Sequence, residues 1–556
     1  MNFDLLKDRY LFKQLYSFCK DAEEFVISRP ELSAISQRKA LESAVKYFYM
    51  SKYGTYSETA TLFSLIQDEQ FASYMDSTIL SGIHLIRQVG NNAAHGETVT
   101  KTEAMNGLEA LYYFCAELLK IFGIIKSYDK FDKTVYTKKA EPVTETVETI
   151  EEKPVEVTKE AVEGLKGKIN DGTTFRSATD FTEAETRRVY IDNALKEAGW
   201  KVHDIKGAIL PNTACIEIKL DGMPNSAGVG FADYILFDDD NKPLAVIEAK
   251  KTSVDPVKGS QQAKLYADCI EQKWGVRPVI FYTNGYEVWM IDGSGYPSRR
   301  IFGYYTKDEL HSLIVRRGLK QITDTRIDPT ISDRPFIQEA ATAVCDCFNK
   351  KQRKALIVMA TGTGKTRCAI SIVDVLQRAN WAKHILFLAD RTELVNQAKN
   401  AFKKHLPNSS ICAISETKGE DRDFNARVIL STYPTMLNLI DCAERAFGVG
   451  KFDLIILDEC HRSVYNKYQA IIRYFDSLLL GLTATPREKV DDSTYELFNV
   501  PKGEPTFNYG YEKAVSEGFL VDYANFDSTP QLLKFGLKYD DLSENEKEAY
   551  EEAFAD

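Results

Sequence analysis

A chain of 556 residues with a formal charge of −11, 44% hydrophobic and 11% aromatic residues is too long for one core. Its make-up is that of a globular protein of roughly three to four domains. No run approaches the ~20 apolar residues of a membrane helix. The N-terminus MNFDLLKDRY lacks a signal-peptide pattern, and the ten scattered cysteines form neither a zinc spacing nor a disulfide framework. The expectation is a cytoplasmic protein with no membrane partner, in which any nucleic acid is met by a local groove rather than by a basic coat.

Residues 1–127 show apolar positions at helical spacing in LESAVKYFYM (41–50) and GLEALYYFCAELLKIFGII (107–125), which predicts a helical accessory domain. Within it, LIRQVGNNAAH (85–95) reads as a helix ending at Gly90 with Asn and His capping the turn. An Arg87–His95 pairing for RNA cleavage is the sharper alternative. Residues 128–174 are rich in Thr, Glu, Val and Lys, and read as a linker.

Residues 175–325 combine a helix, FTEAETRRVYIDNALKEAGW (181–200), with strands ACIEIKL (214–220), FADYILF (231–237) and LAVIEAK (244–250). The helix GSQQAKLYADCIEQKW (259–274) and the strands PVIFYTN and YEVWMID complete a mixed sheet flanked by helices. Strand side chains alternate faces, so Glu248 and Lys250 share a side, and an antiparallel neighbour brings Asp233 beside them. Two such carboxylates, Asp233 and Glu248, suit one or two Mg²⁺ ions, with Lys250 positioning the nucleophile or offsetting charge. Gln262 and Tyr266, at i and i+4 of the next helix, point one face at the same place. Glu183 and Glu185 read either as a further metal ligand or as acidic residues at a helix N-terminus.

Residues 326–505 alternate strands (ALIVMAT, HILFLAD, RVILST, DLIILDE, LLLGLTAT) with helices, the pattern of a doubly wound parallel sheet. ATGTGKT (360–366) joins a strand to a helix, so backbone N–H groups at Thr361, Gly362, Thr363 and Gly364 can cradle phosphates. Lys365 would reach the β/γ-phosphates and Thr366 would hold Mg²⁺. Met359 stands where the usual phosphate-loop pattern has its first glycine. Asp458 and Glu459 end a strand, suiting one carboxylate for Mg²⁺ and one to orient attacking water. GLTATP (481–486) follows the next strand. Residues 506–556 read as the start of a connection onward.

The ordered set from 330 to 500 resembles superfamily-2 helicases and translocases. That resemblance implies a RecA-like sheet binding ATP and Mg²⁺, with Gln338 of RPFIQ reading adenine and Thr483 and Thr485, with His461, coupling nucleotide state to movement. It also implies nucleic-acid-facing segments at FLADRTELVNQA (387–398) and Ser431-Thr432, and a second RecA-like lobe absent from this chain. The 175–325 segment resembles PD-(D/E)xK nucleases of the Q-x3-Y subset. Helices, nuclease, then motor is the order that resembles the restriction (motor) subunit of type I restriction–modification enzymes, here as an N-terminal fragment. The multidomain α/β chain would then translocate and cleave unmethylated double-stranded DNA away from the recognition site, with methyltransferase and specificity subunits as partners. Two rivals remain: a repair or RNA-processing helicase carrying an inactive nuclease-like domain, and a scaffold binding partners through residues 1–127.

Overall fold

The computed structural model describes the chain except residues 57–59, 95–96, 138–163, 178–181, 204, 320, 323–325, 415–421, 442–445, 461, 486–489, 491, 523–546 and 548–556. His95, His461, Lys320, Tyr523 and the centre of the expected linker lie outside the described residues, as does the side chain of Glu185.

The first layer is helical. Long helices at Lys13–Phe25, Pro30–Tyr53, Ser77–Ala94 and Lys101–Ile121 bury a common apolar core that includes Leu41, Phe48, Ile83, Leu108 and Leu111. The expected stop at Gly90 is absent, because that residue lies inside the Ser77–Ala94 helix. A Cβ there would stand 2.6 Å from the Cβ of Arg38 and 2.9 Å from the Ala34 carbonyl oxygen, so the missing side chain serves a close helix crossing. Arg87 is buried with its guanidinium over the Phe63 ring, a packed rather than an open position. The two ends of the expected linker are also packed: Phe131, Tyr136, Leu165 and Ile169 join this core, as does Phe175 just beyond it. Apolar anchors at those points outweigh the polar composition between them.

The second layer is a seven-stranded mixed sheet in the order β1 (Lys201–His203), β2 (Thr213–Asp221), β3 (Val229–Phe237), β4 (Pro243–Ala249), β5 (Val279–Thr283), β6 (Val288–Ile291) and β7 (Arg299–Ile301). β2–β3–β4 is an antiparallel meander, β5 joins β4 in parallel, and β6 and β7 return antiparallel. Ile235, Phe237, Val246 and Ile280 face the helix Ser260–Trp274 through Ala263, Ala267 and Ile270. The alternate residues Tyr234, Leu236, Ala245, Ile247 and Phe281 face the opposite way, into a core shared with the third layer. The helix expected over 181–200 is broken: Glu183–Thr186 is followed by a π-turn, Arg187–Ile191, before the helix resumes at Asp192–Glu197.

The third layer is a seven-stranded, all-parallel sheet containing β8 (Lys354–Met359), β9 (Ile385–Ala389), β10 (Ile411–Ala413), β11 (Val428–Thr432), β12 (Leu454–Asp458), β13 (Leu478–Thr483) and β14 (Phe507–Tyr509). Its order is β10-β11-β9-β12-β13-β8-β14, the crossover pattern expected of a doubly wound sheet. β14 extends this sheet beyond residue 505: Phe507 and Asn508 pair with Ile357 and Val358, and Tyr509 stacks on Phe336 at 4.0 Å. One face packs into the core shared with the mixed sheet through Leu356, Leu388, Ile455 and Leu479, the other onto its own helices through Ile357, Phe387, Ile456 and Leu480.

A polar cluster spans the joint between the two sheets. Asp476 accepts from Arg299 Nε at 2.8 Å and Nη2 at 2.7 Å, from Arg353 Nη2 at 2.6 Å and from the Tyr305 hydroxyl at 2.5 Å. Burial opposes its charge, but the two guanidiniums outweigh that and hold the carboxyl far below the usual carboxylate range.

Candidate active sites

Tyr234 pairs with Ile247 across β3 and β4, which sets Asp233 opposite Glu248 one step along the ladder. The Glu248 side chain points to the face covered by the helix Ser260–Trp274, where Gly259 meets it. Glu183 reaches the two acids from the helix start, and oxygens of Glu183, Asp233 and Glu248 all lie within 4.8 Å of one another. Glu183 opens the helix Glu183–Thr186 and its carboxylate also lies near the other two acids, so both sequence readings of it are compatible with this placement.

Lys250 is placed by the two-residue strand period. Its Nζ lies 2.5 Å from Glu248 Oε1, 3.3 Å from Gln262 Oε1 and 3.8 Å from Glu183 Oε1. Gln262 in turn donates to the Tyr266 hydroxyl at 2.7 Å, so the i, i+4 pair continues the chain of contacts away from the acids. The helix approaches closely because Gly259 precedes it. A Cβ there would lie 3.2 Å from Glu248 Cγ and 3.4 Å from Lys250 Cε.

Charge crowding shapes this site. Glu248 is 2% exposed, and burial followed by the Asp233 charge pushes its carboxyl up to about 8. Burial likewise raises Asp233, against the opposing effects of the Ala249 N–H and of Arg187. For Lys250 burial favours the neutral form, but Glu248 and the neighbouring acids outweigh it and raise the ammonium above its ordinary value. The crowded Asp233 and Glu248 carboxylates, with the Glu183 oxygen beside them, fit a hard divalent cation such as Mg²⁺, whose charge would relieve the crowding.

Arg187 went unmarked in the sequence reading. Its Nη1 donates to Asp233 Oδ1 at 2.8 Å, and Nη2 lies 3.4 Å from Glu217 Oε1. The other Asp233 oxygen accepts from the Ala249 backbone at 2.7 Å. Its partner lies 46 positions away on another element, so no local pattern points to it.

The second site lies at the C-terminal edge of the parallel sheet. Thr361–Gly364 bridge β8 and the helix Lys365–Arg378, with Gly364 at φ +103°, a conformation that favours glycine. Thr363 is buried and its hydroxyl donates to the Ala360 carbonyl at 2.6 Å, which braces the loop. Lys365 Nζ lies 2.9 Å from Glu459 Oε1, tying the loop to the end of β12. Glu459 sits at φ +52°, the left-handed turn that aims its carboxylate at Lys365. Burial and the Glu459 charge push Asp458 up to about 6, with Lys365 opposing. Thr366 is half-buried in the first turn of the helix. Thr483 ends β13 beside β12, and its hydroxyl accepts from the Thr485 N–H at 3.1 Å.

Gln338 donates to the Ser332 carbonyl at 3.3 Å, whereas Arg334 of the same segment reaches the loop, donating to the Thr363 carbonyl at 2.8 Å. Ser431 is fully buried with its hydroxyl on the Thr432 carbonyl, so it presents no surface to a polyanion. Asp390, Arg391, Thr392 and Glu393, after β9, are exposed.

A family model described as "Type III restriction enzyme, res subunit" (ResIII) matches residues 330–488. The endonuclease subunit of the type I restriction enzyme EcoKI from Escherichia coli (strain K12) is 27% identical over 61% of this chain and 35% of that protein. The EcoAI endonuclease subunit from Escherichia coli is 31% identical over 62% of this chain and 44% of its own length. A solved fragment of an HsdR subunit of a type I restriction enzyme from Vibrio vulnificus YJ016 shares 26% identity. It covers 61% of this chain and 62% of that one with a TM-score of 0.28, too loose a superposition to support a structural argument. The resemblance carried by the motifs is thereby borne out: the chain is similar to type I restriction endonuclease subunits, and spans under half the length of the two curated relatives. Among the described residues, no helix is long and apolar enough to cross a membrane.

Proposed function

We propose that this chain carries the nuclease and part of the motor of a type I restriction enzyme, cleaving unmethylated double-stranded DNA while ATP drives translocation. The observation that carries this reading is the convergence of Glu183, Asp233 and Glu248 beside Lys250, in a chain whose next sheet bears a phosphate loop. Residues 175–325 are assigned as a PD-(D/E)xK endonuclease domain, 326–505 with β14 as the first RecA-like domain, and 1–127 as a helical accessory domain. The methyltransferase and specificity subunits are the proposed partners, and they would supply sequence recognition.

In the nuclease, Glu183, Asp233 and Glu248 would hold Mg²⁺. When bound, that ion supplies Lewis-acid activation of water and offsets charge on the phosphate. Lys250 holds Glu248 in place and presents its ammonium where the attacking oxygen and phosphate charge meet. Gln262 and Tyr266 fix the Lys250 head group from behind. In the motor, the Gly-rich turn and Lys365 bind the phosphates, Thr366 and Asp458 would hold Mg²⁺, and Glu459 orients water. Nucleotide phosphates would draw Lys365 from Glu459 and leave that carboxylate free for this task.

The test is a pair of variants measured in both assays. Asp233→Ala should abolish Mg²⁺-dependent DNA cleavage and leave ATP binding intact, and Lys365→Ala should abolish ATP binding with the fold unchanged. Cleavage by the first variant, or micromolar ATP affinity in the second, would dismiss the corresponding site.

A further inference from the structure

The nuclease carboxylates do not hold themselves in place. Asp233 has about four lone-pair positions on its two oxygens. One is taken by the Ala249 N–H and another by Arg187 Nη1, which fixes the plane of the carboxylate and leaves the remaining positions turned toward Glu183 and Glu248. Arg187 is itself clamped, because its second nitrogen meets Glu217, which also takes Lys206 Nζ at 2.8 Å.

Two backbone irregularities converge on this arrangement. A π-turn begins at Arg187, with the Asp192 N–H donating to the Arg187 carbonyl, and it resets the side-chain direction partway through the helix. On the neighbouring strand Glu217 adopts φ +50°, and the β2–β3 ladder omits the Glu217–Asp233 step between Ile216↔Tyr234 and Ile218↔Ala232. A non-glycine residue in that conformation persists only where its surroundings hold it. Here they hold it by ion pairs leading to Asp233.

We propose that Arg187 is a positioning residue for the nuclease metal: its guanidinium fork orients the Asp233 carboxylate toward the cation, and Glu217 and Lys206 hold the fork. This inference rests on the nuclease reading above. Two effects compete, since a guanidinium near the site repels a cation while its hydrogen bond orients the ligand. The guanidinium charge is shared with Glu217, so orientation prevails. Loss of a hydrogen-bonding partner of a metal ligand typically costs about 10–100-fold in metal affinity or activity.

Mn²⁺ alone, titrated into the whole chain without nucleotide and followed by the paramagnetic signal of the free ion, separates the possibilities. The site is identified as the binding lost in Glu248→Gln. Arg187→Ala should weaken that binding about 10–100-fold. Arg187→Lys, which keeps the charge but not the fork, should fall between, and Glu217→Gln should weaken it by a smaller factor. Equal or tighter Mn²⁺ binding in Arg187→Ala would overturn the proposal. If Arg187→Ala does not fold, the Lys and Gln variants carry the test, and wild-type affinity in both would overturn it. Wild-type binding indistinguishable from Glu248→Gln would instead remove the nuclease reading on which the proposal stands.

Discussion

Replacing Asp476 with Ala should be among the most damaging single changes to this fold, although Asp476 belongs to neither candidate site. The variant strips the counter-charge from Arg353 and the fork partner from Arg299, which keeps the Asp292 contact at 2.7 Å and the Tyr296 ring. Arg299 is 15% exposed and Arg353 21%, so water only partly replaces what is lost. Breaking a buried pair by removing one partner costs about 3–5 kcal/mol. For a cooperative unit of this size, that lowers the midpoint of the transition melting the joint by on the order of 10 °C. The carboxyl lies far below its ordinary value, so the sign is fixed: the stabilisation is present above the unfolded value of about 3.9 and is lost as pH falls through the folded one. Thermal melts of wild type and variant at neutral pH should therefore differ most, and the difference should narrow from about pH 4 downward. Asp492→Ala, whose partner Lys502 is 73% exposed, serves as the control and should leave the midpoint in place. A shift for Asp476→Ala no larger than that of the control would refute the argument that this cluster fastens the two sheets.

Gly259→Ala should lower cleavage roughly tenfold while sparing ATP binding. The added Cβ must move Glu248 and Lys250 by a few tenths of an ångström, and a full ångström of misplacement costs about 10²-fold; unchanged cleavage would show that the site tolerates that shift. Gly90→Ala should destabilise the helical layer by about 1–3 kcal/mol through overpacking against Arg38 and the Ala34 carbonyl. A melt identical to wild type would mean that the helices separate without cost.

Strand alternation was enough to place Glu248 and Lys250 together, because residues two apart on a strand share a face; Asp233 joins them only through the antiparallel pairing of β3 with β4. The five central strands of the mixed sheet and the parallel order of the motor were legible for the same reason: long apolar runs leave little choice. Arg187 was hidden because its partner Asp233 lies 46 positions away on a strand, and nothing local marks the two as a pair. Gly90 was misread because a glycine at a helix end and one at a helix crossing look alike until the neighbouring helix is present. β1 and β7, three residues each, are too short to carry a period. The Arg299–Asp476 pair joins residues 177 positions apart, and nothing local marks them as partners.

The central claim, that one chain joins a metal-dependent nuclease to an ATP motor, is tested most directly on supercoiled plasmid. Wild type and Lys250→Ala would be compared with Mg²⁺, with and without ATP, in the presence of methyltransferase and specificity subunits. The account predicts cleavage by wild type, none by Lys250→Ala, and equal ATP binding by both. Cleavage by Lys250→Ala at the wild-type rate would contradict it.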